Sequence, residues 1–147
     1  MKAVIQRVSG AKVEVEGSVV SSINKGLLVL LGVEKGDTEN DIAYISKKIA
    51  NLRIFEDSAS KMNLSVRDIS GEILVVSQFT LLADCRKGHR PSFIDAEEPE
   101  KANRIYIKVA ESLRQAGIPT STGQFAANMQ VHLINSGPVT ILLDSRK

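Results

Sequence analysis

The chain has one cysteine, Cys85, and no tryptophan. A single thiol closes no intrachain disulfide, and that usage suits a reducing cytosol, so a cytoplasmic location is expected. Charge of one sign is also missing. Nineteen Lys and Arg stand against 17 Asp and Glu, a formal net charge of +2. That is too mild to argue nucleic-acid binding from electrostatics alone, because such binding rests on several phosphate contacts. Long hydrophobic runs are absent too. The longest, 26–33, falls far short of the roughly 20 residues that cross a bilayer and reads as a buried strand. The opening MKAVIQRVSGAKVEVEG carries Lys2, Arg7, Lys12, Glu14 and Glu16, which leaves no apolar core for a signal peptide. No membrane partner is expected.

The common catalytic signatures are missing as well. There is no Walker loop, no GxGxxG, no GxSxG elbow, and no Cys or His pair at metal-ligand spacing. His89 and His132 stand alone; His132, between Val131 and Leu133, reads as structural, and Cys85 has no evident base. No cofactor and no metal are expected.

What is present is hydrophobic pattern along almost the whole chain, with no repeat or linker, so 1–147 reads as one domain. A chain of 147 residues buries roughly two thirds of its unfolded surface and needs no disulfide or structural metal. Strands are expected over 4–8 and 13–15, separated by a Ser9-Gly10 turn, and then over 19–23 and 27–33. A helix capped by Asp37 or Thr38 carries Ile42, Ile45, Ile49 and Leu52 on one stripe. Strands return at 64–69 and 73–82, followed by a charged loop over 83–99. A second helix from Pro99 buries Ala102, Ile105, Tyr106, Val109 and Leu113 and ends at Gly117. Two last strands, near 129–134 and 139–143, flank the turn Asn135-Ser136-Gly137-Pro138. About eight grouped strands and two helices predict an α+β fold: a mostly antiparallel or mixed sheet forming a partial barrel, with two main helices packed on one face.

Three segments hold polar or turn-forming residues where chemistry can reside. Ser77-Gln78-Phe79-Thr80 closes an apolar strand, and its polar groups must find hydrogen bonds, either in a neighbouring strand or water or in a ligand. Gly137-Pro138 marks a turn, and Pro138 is a candidate for the cis isomer, which costs about 1 kcal/mol before proline. Lys87-Gly88-His89-Arg90-Pro91-Ser92-Phe93 combines cations with an aromatic ring, suited either to solvent or to phosphate contact and base stacking.

Together with MKAVIQRV at the start, SQFTLLAD at 77–84, KGHRPSF at 87–93 and TGQFAANMQVHLINSGPVT at 122–140, these segments resemble the bacterial and eukaryotic D-aminoacyl-tRNA deacylase family over nearly the whole chain. The resemblance implies a homodimer with active sites at the subunit interface, acting on tRNA that carries a D-amino acid. It places the 3′-terminal adenosine and its amino acid in a pocket formed by Ser77, Gln78, Phe79 and Thr80 of one subunit. Gly137 and cis Pro138 of the other subunit would point carbonyls into that pocket and reject L-aminoacyl esters by clash, with Arg7 fixing them. Phe125 and Met129 match pocket-lining positions. Ala126 departs from the family pattern, where glycine is expected in many relatives, and this puts fine substrate preference in question.

An aminoacyl ester is already activated, so its hydrolysis needs a positioned water and donors for the developing oxyanion. Ser77 and the N–H groups near Gln78 and Phe79 are the expected donors. Thr80 is either a nucleophile or a water anchor. A nucleophile needs a base and SQFT contains none, so assistance from the ribose 2′-hydroxyl is favoured. Glycyl esters, lacking a side chain to clash, are expected to react as well. A non-catalytic RNA-end binding module, a hydrolase or deaminase of small metabolites, and a purely structural dimer remain as other readings.

Overall fold

Apolar alternation begins at the first residues and, in the computed structural model of residues 1–147, produces one strand rather than two. In β1 (Lys2–Val15), Ala3 and Ile5 turn to one face of the sheet, and Val8, Ala11 and Val13 turn to the other. Period-2 alternation would put Ala3 and Ala11 on the same side. The phase changes at Ser9-Gly10, where β1 carries a bulge against its neighbour, and one extra residue turns the following side chains over. The expected turn at Ser9-Gly10 is therefore this bulge, inside a continuous strand.

The strands β2 (Ser18–Ile23) and β3 (Gly26–Gly32) both pair antiparallel with β1. β6 (Glu72–Ser77) then lies parallel to β3, and the short β7 (Thr120–Thr122) parallel to β6. β8 (Gln130–Asp144) pairs antiparallel along the edge of β1 opposite β3. β2 curls back towards β6 and β7, so the mixed sheet forms a partial barrel. The small β4 (Phe55–Glu56) and β5 (Met62–Leu64) form a separate ribbon. The strand expected over 64–69 stops at Leu64, because the Asp68 carboxylate accepts the Ser65 N–H at 2.8 Å and turns the chain.

Both helices cover the same face. α1 (Glu39–Asn51) brings Ile42, Ile45 and Ile49, and α2 (Pro99–Gln115) brings Ile105, Tyr106, Val109 and Leu113, onto Ile5, Leu27, Val29, Leu31, Ile73 and Val75. The other face holds a smaller cluster with no helical residue: Val8, Ala11, Val13, Ile23, Leu28, Leu74 and Val76. Every residue from Leu27 to Val29 and from Ile73 to Val76 is buried, as expected of parallel-paired central strands covered on both sides. The α+β partial barrel with two helices on one face is thus the observed architecture. No helix is long and apolar enough to cross a membrane.

Thr38 caps α1, and its N–H and hydroxyl both donate to Asp41, at 2.8 and 3.0 Å. Asp37 does not cap the helix; it is buried and accepts the Met1 ammonium at 2.7 Å. Asp41 also accepts the Ser145 hydroxyl at 2.6 Å, joining the start of α1 to the segment after β8. Partial burial pushes the Asp41 carboxyl upward. The Ser145 hydroxyl, the Thr38 donors and the Met1 ammonium outweigh it and hold the pKa down at about 2, below the ordinary 3.8. A carboxylate with a depressed folded pKa stabilises fully above its unfolded value and loses that contribution as pH falls through the folded one. Resistance to urea should therefore weaken as pH drops from about 4 towards 2. Asp41→Asn should be less stable at neutral pH, with a shallower dependence across that window.

Candidate active site

Neighbouring parallel strands that part company at their carboxyl ends open a crevice, the usual place for a ligand in such a sheet. β6 ends at Ser77 and β7 at Thr122. The last tie between them is Gly123 N–H to the Val75 carbonyl, 3.0 Å. On the β6 side, Gln78 N–H still reaches back to the Leu31 carbonyl at 2.8 Å. The chain then leaves the sheet in a 3-10 turn, Phe79–Leu82, where the sequence suggested continued strand. Gly32 makes room for that turn: a Cβ there would lie 3.0 Å from the Gln78 carbonyl and 2.5 Å from Leu82 Cδ2. On the β7 side, residues 123–129 form a compact turn closed by Ala127 N–H to Gln124 carbonyl at 3.2 Å. Ala126 sits in it at φ 60°, a left-handed conformation that favours glycine. This is the physical reason glycine suits that position.

Between the two walls is a cavity of about 520 Å³. Ser77, Gln78 and Phe79 form one side, Phe125, Ala126 and Met129 the other, with Val33, Glu97 and Ala102 behind. Five of the expected site residues are therefore brought together: Ser77, Gln78, Phe79, Phe125 and Met129. The Ser77 hydroxyl has no hydrogen-bond partner within the chain. Gln78 is engaged, its side-chain amide donating to the Thr80 hydroxyl at 2.5 Å, and its N–H is used by Leu31. The backbone donors left are those of the first residues of the 3-10 turn, whose N–H groups have no acceptor inside the turn. Thr80 lies beside the cavity and is not among the residues lining it. Its side-chain partner is an amide, not a base, so nothing here would activate it as a nucleophile. Glu97 is ionised and occupied. Lys101 first, at 2.6 Å, and then the Glu98 N–H, at 3.0 Å, hold its carboxyl below the usual range.

At the mouth, Phe79 is 55 % exposed and meets the ring of Phe93 edge-on at 5.1 Å. Phe93 ends the basic loop, whose base is closed by two backbone bonds between Asp84 and Ser92, at 2.8 and 3.0 Å. Arg86 is neutralised by Asp84, while Lys87, His89 and Arg90 are exposed at the tip. His132 lies away from the cavity, at 3.1 Å from Glu14 across the β1–β8 pair.

Arg7, Gly137 and Pro138 occupy a second locality. Gln6 pairs with Thr140 and Val8 with Asn135, so Ser136 to Val139 bulge out of β8. The expected hairpin turn is a bulge in one continuous strand, and its Gly137-Pro138 bond is cis. Arg7 is buried beneath it; its Nε donates to the Ser136 carbonyl at 2.9 Å and its Nη1 to the Ile54 carbonyl at 2.7 Å. Gly137 has φ 128°, and a Cβ there would come within 2.9 Å of Arg7 Nη2. None of these three residues lines the cavity of its own chain.

Tyr106 belongs to the site through a role that the sequence pattern, which marks it as one of a helical stripe, did not disclose. Its hydroxyl donates to the Val75 carbonyl at 2.8 Å, where β6 and β7 make their last tie. Its ring packs on Phe125 with centroids 5.9 Å apart. Burial pushes the phenol up to about 12, against the opposing effect of the Thr122 hydroxyl and Gly123 N–H. Tyr106 thus holds both walls at one spacing. Tyr106→Phe should cost about 1 kcal/mol of stability, the usual value of one buried hydrogen bond. Turnover in the cavity should also fall when assayed well below the melting temperature.

The chain matches the model of the family described as D-Tyr-tRNA(Tyr) deacylase over residues 4–144. It is 60 % identical over 146 residues to a D-aminoacyl-tRNA deacylase of Geobacter sulfurreducens, covering 99 % of this chain and 96 % of the relative. It is 58 % identical over 147 residues to one of Thermotoga petrophila, covering 100 % and 99 %. Among solved structures it is similar to a "c-Myc DNA Unwinding Element Binding Protein", with 46 % identity, a TM-score of 0.93 and 98 % of both chains covered. A structure described as "a probable eukaryotic D-amino acid tRNA deacylase" shares the fold at a TM-score of 0.84 but only 15 % identity, over 97 % of each chain. The chain belongs to the D-Tyr-tRNA(Tyr) deacylase family.

Proposed function

We propose that this protein is a hydrolase of D-aminoacyl-tRNA. The observation that carries the reading is the unengaged Ser77 hydroxyl beside the open N–H end of a 3-10 turn, in a largely apolar cavity with an exposed Phe79 at its mouth. Such donors suit a carbonyl oxygen that gains negative charge as water adds to the ester. The bond from the carbonyl carbon to the ribose 3′-oxygen then breaks, releasing the D-amino acid and leaving a free 3′-hydroxyl on the tRNA. No histidine or lysine lines the cavity, and its one carboxylate, Glu97, is already paired. This favours activation of water by the substrate's own 2′-hydroxyl. Phe79 offers a face for the terminal base, and Lys87 and Arg90 suit the phosphates behind it.

Chiral selection, in this reading, comes from a second copy of the chain. Gly137 and cis Pro138 do not line their own cavity, yet Arg7 holds the Ser136 carbonyl just before them at 2.9 Å. The outer edge of β8 has no strand partner, and Ile134 and Leu142 on it are 67 % and 75 % exposed. A homodimer that covers this edge would carry the bulge of one subunit into the cavity of the other, where its carbonyls occupy the space of an L side chain. Glycyl esters escape that clash and should be cleaved. The site then acts in the cytoplasm, on charged tRNA, with 1–147 working as one domain.

The test is deacylation of matched D-Tyr-tRNA and L-Tyr-tRNA. The wild-type protein should cleave only the D ester, and Ser77→Ala should be slower by about 100- to 1000-fold, as for loss of an oxyanion donor. Gly137→Ala, whose Cβ displaces the bulge, should begin to cleave the L ester. Binding of tRNA with no hydrolysis of either ester would identify a binding module instead, and equal wild-type cleavage of both would remove the chiral filter.

A further inference from the structure

Four polar side chains line the cavity: Ser77, Gln78, Glu97 and Asn128. Gln78 is committed to Thr80, and Glu97 to Lys101 and the Glu98 N–H. Only Ser77 and Asn128 have no hydrogen-bond partner within the chain. Ser77 is at the strand end, among the oxyanion donors. Asn128 is exposed, on the opposite wall.

The backbone around Asn128 is well defined on both sides. Ala127 N–H closes the turn onto Gln124, and the Met129 sulfur packs so near Gly123 that a Cβ there would lie 2.8 Å from it. Met129 packs against the core, and the exposed Asn128 lines the same cavity as Phe79. A carboxamide presents one acceptor and a donor side by side, the pattern that matches an adenine edge, with its N6 amine beside a ring nitrogen. Single-stranded bases are typically recognised by such edge contacts combined with stacking on an aromatic face. Resting on the function proposed above, we infer that Asn128 reads the base of the terminal adenosine, its Oδ1 accepting from the N6 amine and its Nδ2 donating to the neighbouring ring nitrogen. Asn128 is then a specificity-determining residue for the nucleoside and takes no part in bond breaking.

The experiment compares D-Tyr-tRNA ending in adenosine with D-Tyr-tRNA ending in purine riboside, which lacks the N6 amine, for wild type and Asn128→Ala. One hydrogen bond corresponds to roughly a tenfold change in kcat/KM. The wild-type protein should lose about tenfold on purine riboside, and Asn128→Ala, which deletes both hydrogen bonds, about 100-fold on adenosine. The variant should lose little more when the amine is also removed, because the amine's partner is already gone. Full activity of the variant on adenosine, an unchanged wild-type rate on purine riboside, or a further loss of about tenfold when the variant meets purine riboside would each overturn the assignment while leaving the hydrolase reading intact. A wild-type protein inert on both substrates would overturn that reading and this one together.

Discussion

The central constraint is the pairing of β1 along both edges. Its 14 residues bond to β2, β3 and β8, so its register sets the position of every other strand in the sheet. A strand paired on both edges cannot tolerate a bulging neighbour unless the displaced backbone groups find other partners. Here Arg7 supplies them. Between Gln6 and Val8, where β8 swings out, the guanidinium takes the Ser136 carbonyl on one side and the Ile54 carbonyl on the other. One buried cation thereby binds the Gly137-Pro138 segment to the helical face of the core. Removing it would strand two carbonyls and release the segment that the proposed selection needs to be rigid.

The second element of the design is divergence. β6 and β7 are parallel neighbours only as far as Val75 and Thr122, and the space that opens beyond them is the cavity. Tyr106, reaching from α2, holds the point of divergence. The hydroxyl-bearing wall and the aromatic wall are therefore set by sheet geometry and one phenol rather than by loop chemistry. That suits a reaction in which positioning counts for more than a strong base.

Much of this was legible in sequence, and the failures share a cause. Helical stripes such as Ile42, Ile45 and Ile49 repeat at a local period and announce themselves, as do the buried runs of β3 and β6. Ser9-Gly10 and Asn135-Ser136-Gly137-Pro138 carry turn chemistry, yet both are bulges in long strands. The ladder that carries β1 and β8 through them pairs the two ends of the chain, Lys2 with Asp144 and Gly10 with Ile134, and local patterns do not encode that. Ser77 and Gln78 stood out as polar groups ending an apolar strand. That Gln78 N–H is already used, that Thr80 lies off the cavity wall and that Tyr106 braces the site depend on tertiary contacts. The separation of Gly137 and Pro138 from Ser77 within one chain is likewise visible only in three dimensions.

Filtering of one chain's cavity by the bulge of another is tested most directly by subunit exchange. The wild-type protein is mixed with the double variant Ser77→Ala/Gly137→Ala and assayed on L-Tyr-tRNA. Alone, the wild type should spare the L ester and the double variant should cleave neither ester. In the mixed dimer, the intact Ser77 cavity faces the altered bulge, so L-Tyr-tRNA should be hydrolysed by the mixture although neither parent hydrolyses it. If L-Tyr-tRNA survives in a mixture shown to contain mixed dimers, the filter does not act across subunits.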